Sequence, residues 1–184
     1  MSELRTARLI LRPFRTEHQD DLHALWNDPQ VRRYLWDDQP VSRETVHAHI
    51  ELSIQSFRER GFGHFTVSPL QHPTRTIGFT GLRYHAESDE IELYYALLPS
   101  YWGQGLATEA AGEVLRFGFE EVELSEIVAA ADLPNGASFR VMERLGMTFA
   151  REGRPRNNPL KFYSISRETF SAGAAGPAGS TSSR

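Results

Sequence analysis

The spacing of apolar residues changes between a strand-like and a helix-like pattern along the first half of the chain. Residues 8–14 predict a first strand, and residues 16–26 repeat apolar side chains at helical spacing until Pro29, which we expect to end that helix. Residues 42–60 predict a longer helix, because Gly61 follows them as a natural stop.

The second half of the chain repeats one arrangement twice: a strand, a turn and then a helix. In the first unit, residues 90–98 predict the strand and residues 108–121 the helix. In the second unit, residues 127–131 predict a buried strand, and the helix that follows ends at about Leu145. The remaining strands are predicted over residues 62–67, 76–84 and 160–166.

The turn of the first unit contains two glycines, Gly103 and Gly105, at a strand-to-helix junction. The first N–H groups of a helix have no partner within the helix, and the helix dipole adds partial positive charge there. Such a turn can bind a pyrophosphate, because glycine lets the main chain come close to the ligand. The alternative is a tight turn that only begins a helix, and the spacing alone does not decide between the two.

The turn of the second unit contains Asn135 and, three residues later, Ser138. Either residue type can cap the start of a helix, and either can hydrogen-bond a ligand instead. Both interpretations stay open for this turn.

Two segments together resemble the acetyl-coenzyme A site of the GNAT N-acetyltransferases, in the branch that includes the ribosomal-protein N-terminal acetyltransferases. They are residues 99–110, PSYWGQGLATEA, and residues 135–147, NGASFRVMERLGM. Residues 6–13, TARLILRP, are similar to the same branch, and the likeness extends over about residues 5–167. One position departs from the family, since Trp102 stands where the phosphate loop usually begins with Gln or Arg.

The resemblance implies an α/β fold of the α+β kind. Its mixed, mainly antiparallel sheet would have about six or seven strands, splay near Leu97 and carry helices on both faces. Acetyl-CoA would lie in the cleft, with the pantetheine arm on the main chain of the strand and the pyrophosphate on the N–H groups of the turn. The residues implied to bind it are Tyr95, Ala96, Leu97, Trp102, Gly103, Gln104, Gly105, Leu106, Ala107, Thr108, Asn135 and Ser138.

Glu92 is the first candidate for a catalytic base in direct transfer from acetyl-CoA to an amine. An alkylamine is mostly protonated at neutral pH and must lose a proton before it attacks a thioester. Glu92 lies on the strand that leads into the glycine turn, and the family often carries Glu at the matching place. We expect a mostly apolar pocket around it. The alternative is a solvated carboxylate like Glu90, since strand alternation places both on one face.

The departing thiolate of coenzyme A needs a proton or a hydrogen bond. Ser138 is the catalytic candidate for that role by its match to the family pattern, and Tyr101 is a weaker alternative. A hydroxyl at position 138 could also cap the helix.

The amine acceptor is expected to bind in the first half of the chain. Trp36, Asp37 and Asp38 lie between two predicted helices, and in this family such a loop covers the amine site. The aspartates could attract an ammonium group and Trp36 could stack on it. The alternative is that Trp36 covers the core and the aspartates begin a turn. Arg83 and Phe65 are further candidates to line the cleft.

Charge and composition narrow the class of partner. The chain has 184 residues, 40% hydrophobic and 24% charged, which suits one domain with a substantial core. Its net charge of -4 argues against nucleic acid as a partner, since that binding depends on clustered Lys and Arg. A cationic amine suits this balance better. The acceptor is therefore predicted to be a small-molecule amine or a protein N-terminus.

The chain has no cysteine, which excludes a disulfide framework, a thiolate metal site and a cysteine acyl-enzyme. Its seven histidines lack the spacing of a metal site, so no metal is expected. No stretch is typical of a signal peptide or a membrane span, so we expect a cytoplasmic protein without a membrane partner.

We expect a single domain over residues 1–170 and a disordered tail over residues 171–184. The tail contains only Ala, Gly, Pro, Ser, Thr and a final Arg, so it offers little apolar area to offset chain entropy. The sequence does not fix the oligomeric state, and a homodimer stays open. Two rival classes also stay open: a noncatalytic sensor that binds coenzyme A, and an interaction module whose glycines only form turns.

Overall fold

Eight strands form a single sheet in the computed structural model, which describes residues 3–85, 88–153 and 159–174. The strands are β1 (Leu4–Arg5), β2 (Leu9–Pro13), β3 (His64–Pro69), β4 (Gly78–His85), β5 (Glu90–Leu97), β6 (Glu126–Asp132), β7 (Thr148–Gly153) and β8 (Leu160–Ser166). Their order across the sheet is β1-β2-β3-β4-β5-β6-β8-β7. Neighbouring strands are antiparallel throughout, except that β5 and β6 run parallel.

Helices cover both faces of this sheet. They are α1 (Gln19–Asn27), α2 (Pro29–Leu35), α3 (Arg43–Arg60), α4 (Leu106–Glu120), α5 (Gly136–Arg144) and α6 (Arg167–Ala174). The larger group of buried apolar residues packs α4 on the sheet, through side chains such as Val114 and Leu115. A smaller group joins α1, α2 and α3 to the other side of β4 and β5, through side chains such as Trp26, Ile50 and Phe79.

The sheet parts between its two parallel strands. β5 and β6 are paired in register only at Glu92 and Val128. The ends of both strands lie beyond that pair, and each strand leads into a helix, β5 into α4 and β6 into α5. The mixed sheet, its central parting and the helices on both faces confirm the predicted fold class.

Local sequence signals account for the long helices. Ser42 caps α3, because its hydroxyl accepts a hydrogen bond from the N–H of Thr45 at 3.2 Å. The helix ends at Gly61, whose φ of 81° lies in the left-handed region that glycine adopts without strain. The α4 and α5 helices of the two repeated units likewise form close to their predicted positions.

Helix α2 was not predicted, because Pro29 was interpreted as the end of the preceding helix. Proline is also well suited to the first position of a helix, where no N–H is needed. Asp28 supplies the cap: its carboxylate accepts from the N–H groups of Gln30 at 2.9 Å and Val31 at 3.3 Å. The chain therefore stops α1 and starts α2 within two residues.

The sheet has eight strands where six or seven were expected. The additions are β1, which is only two residues long, and β7, which lies at the edge of the sheet. The first five residues of β7 are exposed, so no alternation of apolar and polar side chains identifies it from sequence.

The C-terminal segment begins as a helix. α6 runs to Ala174, so Ser171 and the next three residues belong to it, although the sequence assigned them to the tail. The rest of the predicted tail, residues 175–184, lies outside the described residues. None of the helices in the described part combines the length and apolar character of a membrane span.

Candidate active site

The glycine turn forms an uncapped helix start. Gly103 and Gly105 have φ values of 72° and 75°, a backbone conformation that strains other residues. Gly105 is the N-cap of α4, and no side chain accepts from the first N–H groups of that helix. The first main-chain bond into the helix is donated by Glu109 to the Gly105 carbonyl at 3.0 Å. The preceding N–H groups of α4 are therefore available to a ligand.

The space in front of this turn is open. A Cβ atom at Gly103 would meet nothing within 4 Å, and one at Gly105 would meet only the Arg8 guanidinium, at 3.7 Å. A side chain at either position would enter this open space. Main-chain donors, partial positive charge and free room together fit a diphosphate.

Trp102 holds the turn to the end of β5. Its indole N–H donates to the carbonyl of Leu97 at 2.7 Å, and about half of its surface (47%) is exposed. The family's usual polar residue is thus replaced by a side chain that anchors the turn through one hydrogen bond.

The N-terminal segment is fastened to the same turn by Glu109, in the first turn of α4. The Glu109 carboxylate accepts from the Thr6 hydroxyl at 2.5 Å, the Arg8 N–H at 2.8 Å and the Arg8 side chain at 2.6 Å. Arg8 also donates to the carbonyl of Gln104 at 3.1 Å. Burial alone would raise the pKa of Glu109, but these bonds outweigh it and hold that pKa below its usual value. The sequence analysis missed this contact.

A cleft of about 300 Å³ runs from this turn into the parting between β5 and β6. All the predicted cofactor-binding residues except Gln104 line it, from β5, the turn, α4 and α5. The Gln104 side chain instead donates to the carbonyl of Ser100 at 3.1 Å. On the opposite side the cleft is lined by α2, through Val31, Tyr34 and Leu35, so the helix that was not predicted forms one wall.

The second turn closes the cleft from the β6 side. Asn135 caps α5, since its side-chain oxygen accepts from the N–H of Ser138 at 3.2 Å. The Ser138 carbonyl accepts from the Tyr95 hydroxyl at 3.2 Å, which ties α5 to β5. Burial raises the pKa of Tyr95 well above its usual range, so the phenol stays protonated. The cap is therefore Asn135, and the Ser138 hydroxyl is not part of it.

Glu92 is buried at the point where the sheet parts, with 5% of its surface exposed. Its Oε2 atom accepts from Arg83 at 2.6 Å and lies 2.5 Å from the Nε2 atom of His85. Arg83 stands opposite Glu92 in the register of β4 and β5. We expected a mostly apolar pocket around Glu92, and that expectation is wrong, because charged and polar side chains contact the carboxylate. The solvated position of the alternative is wrong as well.

Arg83 connects Glu92 to an aromatic surface. The guanidinium lies 4.2 Å from the centre of the Tyr94 ring, an arrangement that favours the cation. Alternation along β5 places Glu92 and Tyr94 on the same side of the sheet, the side covered by α1, α2 and α3. Phe65 lies in the core of the other face and does not line the cleft.

Aromatic rings cover this side of the sheet. Trp36 packs 5.3 Å from Trp26 and 5.0 Å from His49 between ring centres. His64 lies 6.4 Å from Tyr94, and burial, helped by the Arg83 charge, lowers the pKa of His64 to about 3. The His64 ring is therefore neutral at physiological pH. Trp36 does cover the core, as the alternative interpretation of that loop had it.

The two aspartates after Trp36 form a tight turn, with φ values of 50° at Asp37 and 58° at Asp38. Asp38 pairs with Arg32 at 3.1 Å. Asp37 lies close enough to Asp132, at the end of β6, to act on it: burial first, and then the Asp37 charge, raise the pKa of Asp132. This loop thus approaches the end of β6, although none of its three predicted acceptor-binding residues lines the cleft.

Over the described ranges, no group of three His, Cys, Asp or Glu side chains could hold a metal ion.

Comparison with known proteins agrees with this fold. A sequence model of the acetyltransferase (GNAT) domain matches residues 8–148. The chain is 29% identical over 161 residues to the uncharacterized N-acetyltransferase p20 of Bacillus licheniformis, covering 85% of this chain and 87% of that protein. It is 26% identical over 146 residues to the spermidine N(1)-acetyltransferase of Escherichia coli, covering 78% and 73%.

Among solved structures, the fold is similar to that of RimL, a ribosomal L7/L12 α-N-protein acetyltransferase in complex with coenzyme A. The TM-score is 0.75 at 17% identity, over 90% of this chain and 98% of that one. Because the family match covers most of the chain, from the first long strand to the edge strand, the protein belongs to the GNAT acetyltransferases.

Proposed function

We propose that the protein transfers the acetyl group of acetyl-CoA directly to a primary amine while both are bound. The observation that carries the proposal is the uncapped start of α4, which opens into a cleft that reaches the buried Glu92 region at the parting of the sheet. Bound there, acetyl-CoA supplies the acetyl group and the thiol that leaves. The family establishes an N-acetyltransferase, and the roles of individual residues are our proposal.

The donor is held by main chain. N–H groups between Trp102 and Thr108 bind the pyrophosphate, and the free edge of β5 beyond Glu92 binds the pantetheine arm and polarises the thioester carbonyl. Trp102, which anchors the turn, keeps these donors fixed before the ligand arrives. Fixed donors are effective because they need no reorganisation during the reaction.

Glu92 takes the proton from the amine. Arg83 and His85 both engage Oε2, so the Oε1 atom is the one that can accept from the acceptor, directly or through water. His85, at the end of β4, has a side chain that is 39% exposed and gives the proton a route to solvent. Ser138 lies in the cleft lining with its hydroxyl outside the helix cap, which supports its proposed contact with the leaving thiolate.

The acceptor reaches Glu92 from the side of α1, α2 and α3. The aromatic rings there exclude water, and the Asp37 turn beside Asp132 brings negative charge toward the end of β6, which suits a cationic amine. The named relatives act on two kinds of amine, spermidine and the N-terminus of a ribosomal protein. We therefore propose both a polyamine and a protein N-terminus as candidate acceptors.

The decisive experiment incubates the purified protein with acetyl-CoA and a mixed panel of peptides, polyamines, amino acids and aminoglycosides. Product masses are then measured. We expect a mass increase of one acetyl group on at least one primary amine. Calorimetric binding of coenzyme A without any acetylated product would instead favour a sensor, and the absence of binding would reject the donor site.

A further inference from the structure

Buried polar atoms without partners are concentrated on the side of the sheet that α1, α2 and α3 cover. Over the described ranges, five buried side-chain atoms make no hydrogen bond. Four of them lie on this side: Trp26 Nε1, Trp36 Nε1, His64 Nε2 and Arg83 Nε. The two indoles and the guanidinium can only donate a hydrogen bond. This side of the sheet therefore has N–H groups that no acceptor in the described part of the chain satisfies.

These N–H groups favour a ligand that carries hydrogen-bond acceptors. A buried N–H group has given up its hydrogen bonds to water, so leaving it without a partner destabilises the folded chain. Such groups are rare in folded proteins, and departures from the rule are expected at functional sites. A ligand with oxygen atoms would supply the missing partners.

Arg83 is the unsatisfied donor that lies beside the proposed base. Its terminal nitrogen donates to Oε2 of Glu92 at 2.6 Å, while its Nε atom has no partner among the described residues. The Arg83 side chain is 35% exposed, so the guanidinium is within reach of a ligand. Arg83 can therefore hold Glu92 and also donate to a second oxygen.

The position of Arg83 suits an oxygen on the carbon next to the reacting amine. In the proposed reaction the amine donates to Oε1 of Glu92, while Arg83 donates to Oε2 of the same carboxylate. In an amino acid or a peptide, the oxygen on that carbon lies about 3 Å from the amine nitrogen. The amine can then bind Glu92 while its oxygen accepts from Arg83.

A polyamine lacks such an oxygen. Its protonated nitrogens only donate, as the ammonium of lysine does, so they would leave the N–H groups on this side unsatisfied. A second ammonium would also approach the Arg83 cation, because the Glu92 carboxylate that could offset its charge is already engaged by Arg83 and His85. Repulsion between like charges would weaken its binding.

We propose that Arg83 determines acceptor specificity by binding a carbonyl or carboxylate oxygen on the carbon next to the amine. The inference rests on the proposed function and selects between its two candidate acceptors. An amine of the amino-acid type, as at a protein N-terminus, is the substrate, and a polyamine is not. Arg83 then positions Glu92 and orients the amine through the neighbouring oxygen.

The test compares two peptides that differ in one amide. One begins with two glycines, and in the other a 5-aminopentanoyl group replaces them, which keeps the length but removes the oxygen near the amine. Values of kcat/KM are measured with acetyl-CoA for both peptides and for spermidine. The wild type is expected to favour the diglycyl peptide about tenfold or more, the factor for one hydrogen bond to a charged group. Spermidine should be the poorest of the three.

The decisive quantity is the change in this ratio between variants, because the two amines also differ in pKa. In Arg83→Met the ratio should fall about tenfold. His85→Gln is the matched control: it disturbs the same oxygen of Glu92 without removing the proposed contact, so its ratio should stay at the wild-type value. Arg83→Lys keeps a cation beside Glu92 but lacks the guanidinium fork, so its ratio should fall as well. Circular dichroism checks the folding of each variant.

Other outcomes overturn the inference and show where it failed. An unchanged ratio in Arg83→Met and Arg83→Lys, with lower turnover of both peptides, means that Arg83 only positions Glu92. A wild type that prefers spermidine to the diglycyl peptide means that the oxygen is not recognised. If the wild type acetylates some other amine but none of these three, the inference fails and the proposed function stands. Acetylation of no amine at all would reject the proposed function, and this inference with it.

Discussion

The two sides of the central sheet contribute different kinds of groups to the candidate site: mainly main-chain groups on one side and side chains on the other. On the side of α4, the donor wall consists of main chain with two glycines, held by the Trp102 indole and by the carboxylate of Glu109. On the side of α1, α2 and α3, the acceptor wall consists of side chains from several elements, with the carboxylate of Glu92 at its centre. In the proposed function, the first wall offers main-chain donors to acetyl-CoA, and the second offers side-chain shape and charge to the amine.

This difference separates binding from turnover. In the proposed function, the main-chain donors at the start of α4 bind the pyrophosphate of the donor, away from the proton that must be removed. In the same proposal, Glu92 acts on the reacting amine and not on the phosphates. Changes on the acceptor wall should therefore reduce turnover at constant donor affinity, and changes on the donor wall should do the reverse.

The largest effect is expected from Glu92→Gln. The amide cannot take a proton, so turnover should fall by about a hundredfold or more, the usual contribution of a general base. The dissociation constant of coenzyme A should change little, because Glu92 is not in the cleft lining. Steady-state kinetics and calorimetry measure the two quantities on the same preparation.

Glu90→Gln is the matched control for this change. Glu90 lies on the same strand but pairs with Arg151 at 2.8 Å. The Glu90→Gln variant should retain wild-type turnover. Normal turnover in Glu92→Gln would remove Glu92 from the mechanism, and equal losses in both variants would point to damage of the strand.

A second, smaller effect is expected on the donor wall from Gly105→Val. The new side chain would enter the space in front of the turn and would strain a left-handed residue. The dissociation constant of coenzyme A should rise about tenfold or more, equivalent to about 1.4 kcal/mol, as measured by calorimetry.

Gly61→Val controls for the strain alone. Gly61 also has a positive φ, of 81°, with nothing near its Cβ position, but it ends α3 away from the cleft. Both variants should lose about 1–2 kcal/mol of stability from the left-handed conformation. Unchanged affinity in Gly105→Val, or equal weakening in both, would contradict a phosphate site at this turn.

A third effect concerns the contact that joins the N-terminal segment to the donor wall. Glu109→Gln should weaken coenzyme A binding by about two- to tenfold, the range of a single hydrogen bond of about 0.5–1.5 kcal/mol. The reason is that Arg8, once released, no longer holds the Gln104 carbonyl. The control is Glu113→Gln, one turn later on α4, where the carboxylate pairs with Arg116.

Glu109→Gln should also change how the free energy of unfolding depends on pH. Because folding lowers the pKa of Glu109, its contribution to stability is present above the unfolded pKa of about 4.3 and is lost as pH falls through the folded value. Chemical unfolding between pH 7 and 3 should show a shallower decline for Glu109→Gln than for the wild type. Parallel curves would show that the carboxylate gains nothing from Thr6 and Arg8.

The donor wall could be predicted from the sequence because its signals are local. The glycines of the turn, the α4 pattern and the Asn135 cap each lie within a few residues of the structure that they determine. The acceptor wall depends instead on register between strands. Arg83 and His85 reach Glu92 only because β4 and β5 pair as they do, and no local pattern encodes that alignment.

Two further misses have physical causes of the same kind. Arg8 and Glu109 are 101 residues apart, so their ion pair depends on the whole sheet. Helix α2 was not predicted because two local rules conflict at Pro29: a proline can end one helix or begin the next. Asp28 favours a helix that begins at Pro29, because the Asp28 side chain accepts from the N–H groups that follow the proline.

The last prediction tests, through His64, whether water reaches the side chains of the acceptor wall. Folding lowers the pKa of His64 to about 3, against about 6.5 in the unfolded chain. The unfolded state therefore binds a proton first, and the wild type should lose stability as pH falls below about 6.5. His64→Gln removes this term, so its free energy of unfolding should decline less between pH 7 and 5. His72→Gln, at an exposed position, should decline like the wild type. Equal slopes for wild type and His64→Gln would mean that water reaches the ring, and the acceptor wall would then resemble the open donor side.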